Sequence, residues 1–302
     1  MLQYLPPILP PVREVRELFD VREVDSGWNR RELAAVPWLV YRWYGDRETL
    51  ERAWPAVKRY LDYLETKAEG GLLSHGLGDW YDLGKRFPGE AQLTPKAVTA
   101  TATWFRCLRV AAAAAGVLGH PDDAARYDAR AEEVRAAFNR AFFDLGAARW
   151  STGSQTALAM PLVVGLAPDG QEGRVLESLV RQIERDDRAL TAGDVGFHYV
   201  VEALSRAGRG DLLLAMSTRE DVPGYGFQLN RGATALTESW AALEEVSNNH
   251  LMLGHLMRWF YSGLLGIGQS DTSVGYAALV LKPQVVSGLE WAQGEFRSPR
   301  GR

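Results

Sequence analysis

From Arg31 onward the chain repeats one device: an amphipathic helical stretch, a short break at Gly or Pro, then another helical stretch. Leu33, Val36, Pro37, Val40, Tyr41 and Tyr44 recur at helical spacing, and Gly45 stands where a C-cap belongs. Leu50, Trp54, Val57, Leu61 and Leu64 share one face of a segment over 47–68 that stops at Gly70-Gly71. Thr94-Pro95 predicts a further start, with Thr94 as N-cap and Pro95 in the first turn, and Val98, Ala102, Phe105, Leu108 and Ala112 inward as far as Gly119. Pro121-Asp122-Asp123 opens its partner, lined by Ala131, Val134, Phe138 and Ala141. More helices are predicted over 155–165, 171–185, 197–207, 231–245 and 250–264. Helices joined this closely pack as repeated hairpins. They share no fixed sequence period, which argues for a closed arrangement over an open solenoid. Beyond Asp271 the pattern changes to short Val- and Leu-rich runs split by Pro and Gly, which predict strands. Residues 1–28, proline-rich and then mixed in charge, read as extended or loop.

Composition excludes several classes of function. With 46% hydrophobic and 24% charged residues, the 302-residue chain has the make-up of a globular protein with a sizeable core. A net charge of −4 offers no broad attraction for nucleic acid or an anionic membrane. The single cysteine, Cys107, permits neither a disulfide framework nor a thiolate metal cluster within the chain. The apolar run around Val110–Leu118 is far too short for a membrane span. MLQYLPPILPP lacks the basic region and long apolar core of a signal peptide, so none is visible, and the compartment stays open.

Candidate chemistry collects in loops. GLGDWYDLG (76–84), TAGDVG (191–196) and PGYGFQLNRG (223–232) each set glycine beside an acid, an aromatic or an amide, and in a ring of hairpins they would converge on a central cleft. Glu238, between Leu236 and Trp240 in an apolar and hydroxylic stretch, is unlike the solvated Glu-Arg faces elsewhere. A carboxylate among aromatics and imidazoles suits acid/base work on a neutral polar ligand such as a sugar. Residue type alone leaves other roles open. Asp79 and Asp194 would also serve as caps or turn formers, Glu238 as the partner of a buried arginine, and His255 as a core group. Asn248-Asn249 would cap the helix predicted from His250. His250 and His255 are five apart with no HExxH pattern, so a zinc site is not expected, and neither GxSxG nor GxxxxGK[ST] occurs. No cofactor and no metal are expected.

Read in order, GLGDWYDLG, LTPKAVTATATWF, STGSQTALAMPL, LTAGDVGFHYVVEAL, PGYGFQLNRGATALTESW and NNHLMLGHLMRWFYSGLLGI closely resemble the α-L-rhamnosidases of glycoside hydrolase family 78, from about Asp25 onward. The resemblance implies an all-α fold, an (α/α)6 toroid of helical hairpins incomplete at its N-terminus, with a few C-terminal strands. Residues 1–24 would form an irregular segment, 25–270 a partial barrel, and 271–302 the start of a β-sandwich. The missing barrel helices and β-domains would belong to the full-length protein. The implied reaction is hydrolysis of terminal α-L-rhamnosides with inversion, on a rhamnosylated glycoside or oligosaccharide. By resemblance Glu238 is the water-activating base and His250 a substrate contact, while Asp79, Trp80, Asp194, Trp240 and Trp28 line the cleft. The family's general acid lies in a motif with Arg, Glu and Leu-Gly-Trp before the SGW segment. VREVRELFDVRE has no such motif, so weak or absent turnover is expected of this chain. The alternatives are a non-catalytic carbohydrate-binding helical module, or another exo-glycosidase or sugar lyase on the same barrel. A lyase would use Tyr225 and Arg231.

Overall fold

The structure, a computed structural model, describes residues 32–301. Trp28 and the segment 1–24 lie outside the described residues. The first eight helices are α1 (Glu32–Tyr44), α2 (Arg47–Lys67), α3 (Lys96–Leu118), α4 (Pro121–Phe142), α5 (Gln155–Val164), α6 (Glu172–Arg185), α7 (Gly196–Arg206) and α8 (Gly210–Thr218). They pair as hairpins α1–α2, α3–α4, α5–α6 and α7–α8, and α1, α3, α5 and α7 also touch one another in succession. The result is an inner row of helices backed by an outer one.

Sequence decides which helix goes where. α6 has one apolar stripe, Val175, Leu179 and Ile183, completed by Ser178, and its other faces meet solvent. α3 is buried nearly all round: Val98, Ala102, Phe105 and Leu108 on one side, Trp104, Ala111, Ala114 and Ala115 on others. A helix with this much apolar surface has to be covered on most sides, and the inner row does that, leaving Arg109, Ala113 and Gly116 as an exposed stripe. The one buried acid of α7, Glu202, is neutralised by Arg206 at 2.7 Å and by Arg258.

Sequence patterning places α1 to α7 to within a residue or two. It misses α8 and errs in three other places. Thr94 is not an N-cap: α3 starts at Lys96, and the Thr94 hydroxyl instead lies 2.6 Å from Ser154 Oγ. The helix predicted over 231–245 does not form. Only α9 (Tyr225–Asn230) precedes it, and turns follow. Here Thr237 Oγ1 donates to the carbonyl of Ser239 (2.6 Å), and Ser239 Oγ accepts from Ala241 N–H (3.2 Å), local bonds that compete with a helical ladder. Ala242 then turns through φ +50°. The long helix predicted over 250–264 is broken as well, into a 3₁₀ turn (Leu251–Leu253), α10 (Leu256–Arg258) and a π turn (Trp259–Leu264). Asn248 does not cap it; its amide closes a turn onto the carbonyl of Val246 at 3.1 Å.

β1 (Phe143–Asp144) and β2 (Arg149–Trp150) pair antiparallel, as do β3 (Ile267–Gln269) and β4 (Leu279–Leu281). The chain beyond β3 folds back on the helices. Gly275 N–H and the Gln269 amide both donate to the Arg42 carbonyl at the end of α1, each at 2.9 Å. Gln284 bridges Trp259 Nε1 (3.2 Å) and the Ser205 carbonyl (2.6 Å).

Candidate active site

Two loops are zipped together first. Asp194 N–H donates to the Trp80 carbonyl (2.8 Å) and Leu83 N–H to the Thr191 carbonyl (3.0 Å). The carboxylate of Asp79 completes the join. Its Oδ2 accepts from Thr156 Oγ1 (2.5 Å) and Gly193 N–H (2.9 Å), and its Oδ1 from Gly196 N–H (2.7 Å). Glycine is required on the facing strand of this clamp. A Cβ at Gly193 would lie 2.1 Å from the Trp80 carbonyl oxygen, and one at Gly196 would lie 1.8 Å from Thr156 Oγ1. Asp79, expected to line the cleft, is fully buried with both oxygens engaged by the protein. Asp82 does similar work one turn on, accepting from the N–H groups of Gln92, Leu93 and Thr94. Between these two acids, Tyr81 takes φ +61°, a conformation that a bulky side chain adopts only when its surroundings hold it there.

The third component is built from extended backbone. Glu238 N–H donates to the Ser247 carbonyl and His250 N–H to the Leu236 carbonyl, both at 2.8 Å, so 236–238 and 247–250 run side by side. Ser247 N–H in turn donates to Glu238 Oε2 (3.2 Å). Trp240, expected to shape the pocket, is fully buried behind it. Its indole N–H donates to the Ala192 carbonyl (2.7 Å), and its ring packs against Phe197 and Tyr225 at 4.8 and 5.0 Å. A buried indole needs a partner for its N–H, and that partner locks the TAGDVG loop from behind.

These contacts bring Glu238, His250 and Asp194 to one place. His250 Nε2 lies 3.4 Å from Asp194 Oδ2, an electrostatic contact without hydrogen-bond geometry. Asp194 lines a cavity with Thr103, Arg106, His198, Tyr199 and His255. Trp80 lines an adjoining one, and Thr103 and Val195 face both. Sequence reasoning passed over Tyr81, Thr156, Arg106 and His198. Tyr81 and His198 stand inside the GLGDWYDLG and LTAGDVGFHYVVEAL motifs and were within its reach; Thr156 and Arg106 come from other helices.

Burial governs the electrostatics. Loss of solvent pushes the Asp79 carboxyl up to about 6 against its three hydrogen bonds. It pushes Asp194 up to about 7; His250 opposes the rise, and Asp79 and Glu238 add to it. Both groups bind a proton more tightly in the folded chain than at their ordinary 3.8. Their contribution to stability is therefore complete below about pH 4 and is lost as pH rises through about 6 for Asp79 and about 7 for Asp194. Burial and the neighbouring anions Glu238 and Asp194 also raise the Tyr81 phenol. His198 is held well below the usual imidazole value, first by burial and then by His255, whose ring lies 5.1 Å away. No group of three or more His, Cys, Asp or Glu side chains suited to a metal ion occurs among the described residues.

The family model for the bacterial α-L-rhamnosidase six-hairpin glycosidase domain matches residues 4–264. The chain belongs to that family. An α-L-rhamnosidase of Alteromonas sp. (strain LOR) is 29% identical over 291 residues, which is 91% of this chain and 31% of the relative. One from Streptomyces avermitilis is 30% identical over 287 residues, 91% of this chain and 26% of the relative. The chain thus spans about a third or less of the length of these curated relatives. The crystal structure of the Streptomyces avermitilis α-L-rhamnosidase complexed with L-rhamnose superposes with a TM-score of 0.78 at 29% identity, covering 89% of this chain and 26% of that one. The native Aspergillus terreus enzyme shares the fold, with a TM-score of 0.82 at 23% identity over 90% of this chain and 33% of that one. The helical hairpins are therefore those of a six-hairpin glycosidase. The pair a lyase would need does not form in this rhamnosidase-family chain. Tyr225 donates its hydroxyl to the Leu253 carbonyl, and Arg231 lies over the Phe227 ring at 4.8 Å. No helix among the described residues is long and apolar enough to cross a membrane.

Proposed function

We propose that this site takes a terminal α-L-rhamnosyl unit and that Glu238 activates the water that displaces the leaving group with inversion. The observation that carries the proposal is the setting of Glu238. It is partly exposed, oriented on Oε2 by Ser247 N–H, paired with no Lys or Arg among the described residues, and placed beside Asp194 and His250. A base needs an ionised oxygen with a lone pair to spare, and Oε1 supplies it. Family membership supports the reaction, and the L-rhamnose in the Streptomyces avermitilis relative supports the sugar. In this reading Asp79 and Trp240 act behind the site as positioning residues, while Trp80, Asp194 and His250 face the ligand. Trp28 keeps the cleft-lining role that the resemblance gives it. The β3–β4 hairpin supports the reading of the last segment as the start of a β-sandwich.

Inversion also requires a carboxylic acid on the leaving oxygen, roughly 6.5–9.5 Å from the base. VREVRELFDVRE offers no counterpart of the family's acid motif. The 302-residue chain is therefore expected to turn over weakly at best, and then on a nitrophenyl α-L-rhamnoside, whose leaving group departs without a proton. It should cleave a natural rhamnosyl disaccharide far more slowly, short by the ~10²–10⁴-fold that a general acid supplies. Initial rates on both substrates check this. Equal rates would place a working acid within these residues, and no cleavage of either by a folded chain whose sugar affinity survives Glu238→Gln would favour the carbohydrate-binding module.

A further inference from the structure

Asp194 is the buried acid of the site whose two carboxylate oxygens the protein leaves without a hydrogen-bond partner. Its side chain is fully buried, and His250 Nε2, facing it, has no such partner either. An acid close to the N-terminus of a helix can serve that helix's free N–H groups. Here the job is already taken: Gly196 N–H at the start of α7 donates to Asp79, and Phe197 N–H donates to the Gly193 carbonyl. Asp194 is thereby released from a structural role and held, through its own N–H on the Trp80 carbonyl, at the wall of a cavity. A buried carboxyl with two open acceptor positions is a standing penalty unless a ligand fills them.

We infer that Asp194 is a specificity-determining residue that receives two adjacent hydroxyl groups of the bound sugar, one on each carboxylate oxygen, with His250 directed at the same unit. A pair of neighbouring ring hydroxyls matches the spacing of a carboxylate's two oxygens, and both donate where the protein offers no donor. Around the carboxyl lie His250, Glu238, Asp79 and Tyr81, with Arg106, His198 and His255 across the cavity. Only the ionised form of Asp194 accepts on both oxygens; His250 favours that form while burial, Glu238 and Asp79 oppose it, so it is the binding form above about pH 7. The inference deepens the rhamnoside reading and rests on it for the identity of the sugar alone.

The test is a titration of the full chain, followed by tryptophan fluorescence at pH 8, with methyl α-L-rhamnoside, its monodeoxy analogues, and the methyl glycosides of D-mannose and L-fucose. Removing either hydroxyl of the recognised pair is expected to weaken binding by about 10–100-fold, the range for a hydrogen bond to a charged group. Asp194→Ala should weaken the parent glycoside to a similar degree and bind the two deoxy analogues as well as the parent. Such loss of selectivity is a response that a merely structural residue does not give. Asp194→Asn, which removes the buried charge and keeps the shape, serves as the folding control and should melt at or above the wild type at pH 8. If Asp194→Ala keeps the full deoxy selectivity, or if no glycoside binds to the wild type, the inference is overturned. If a mannoside or fucoside binds in place of the rhamnoside and Asp194→Ala erases its deoxy selectivity, the inference stands and the rhamnoside reading falls.

Discussion

Glu238→Gln is expected to lower hydrolysis of a nitrophenyl α-L-rhamnoside by about 10²–10⁴-fold, the usual contribution of a general base, with KM little changed. Glutamine keeps the shape and the contact with Ser247 N–H but cannot take a proton from water, so the loss should fall on kcat. Shortening the side chain gives a sharper version of the same experiment. In Glu238→Ala the space left beside the sugar admits azide, an anion that attacks without surrendering a proton. The C–N bond forms as the C–O bond to nitrophenolate breaks, and rhamnosyl azide accumulates with part of the rate restored. Steady-state kinetics with and without azide, beside a melting curve for each variant, check the assignment. A folded Glu238→Gln protein that retains more than a tenth of the wild-type kcat would move the base elsewhere.

Asp79→Ala is expected to destabilise the chain by about 2–4 kcal/mol, although Asp79 touches no ligand in the reading given above. The substitution strands Gly193 N–H and Gly196 N–H in a fully buried setting and frees the Thr156 hydroxyl. Each orphaned buried donor costs about 1–3 kcal/mol, partly offset by removal of a carboxylate that burial already disfavours. The sign of that offset gives the prediction a pH dependence. The wild type carries Asp79 as the acid below about pH 6 and as the carboxylate above it, so the charge relieved by the substitution exists only at the higher pH. The deficit of Asp79→Ala should therefore be larger at pH 5 than at pH 8. Urea unfolding at the two pH values measures it. A variant that unfolds with the wild type at both would show that the two loops are joined by their backbone bonds alone.

The fold was legible where burial follows helical period. The stripes in 47–67 and 172–185 and the Ala-rich 96–118 declare outer and inner helices directly. α8 was not seen. Its nine residues bury Gly210, Leu212, Leu213 and Met216 without a polar stripe, so periodicity has nothing to show. The stretch around Glu238 misled for the opposite reason. TALTESWAALEEV has the composition of a helix, yet its hydroxyls bond locally, and 236–238 finds its partner in 247–250, a tertiary pairing that propensity does not contain. The acids show the same divide. Asp79 and Asp194 stand in similar Gly-Asp loops, and residue type alone assigns them equally to a ligand or a turn. Only the facing N–H groups of Gly193 and Gly196, remote in sequence, separate the clamp from the open carboxylate.

In the proposed reaction Glu238 delivers water to the face of the sugar opposite the leaving group. The most direct test is proton NMR of the rhamnose first released from a nitrophenyl α-L-rhamnoside by the wild-type chain, recorded before mutarotation. The β-anomer should appear first and decay toward equilibrium. Initial release of the α-anomer would mean that a covalent intermediate forms on the protein, and Glu238 would not be a base acting on water in a single displacement.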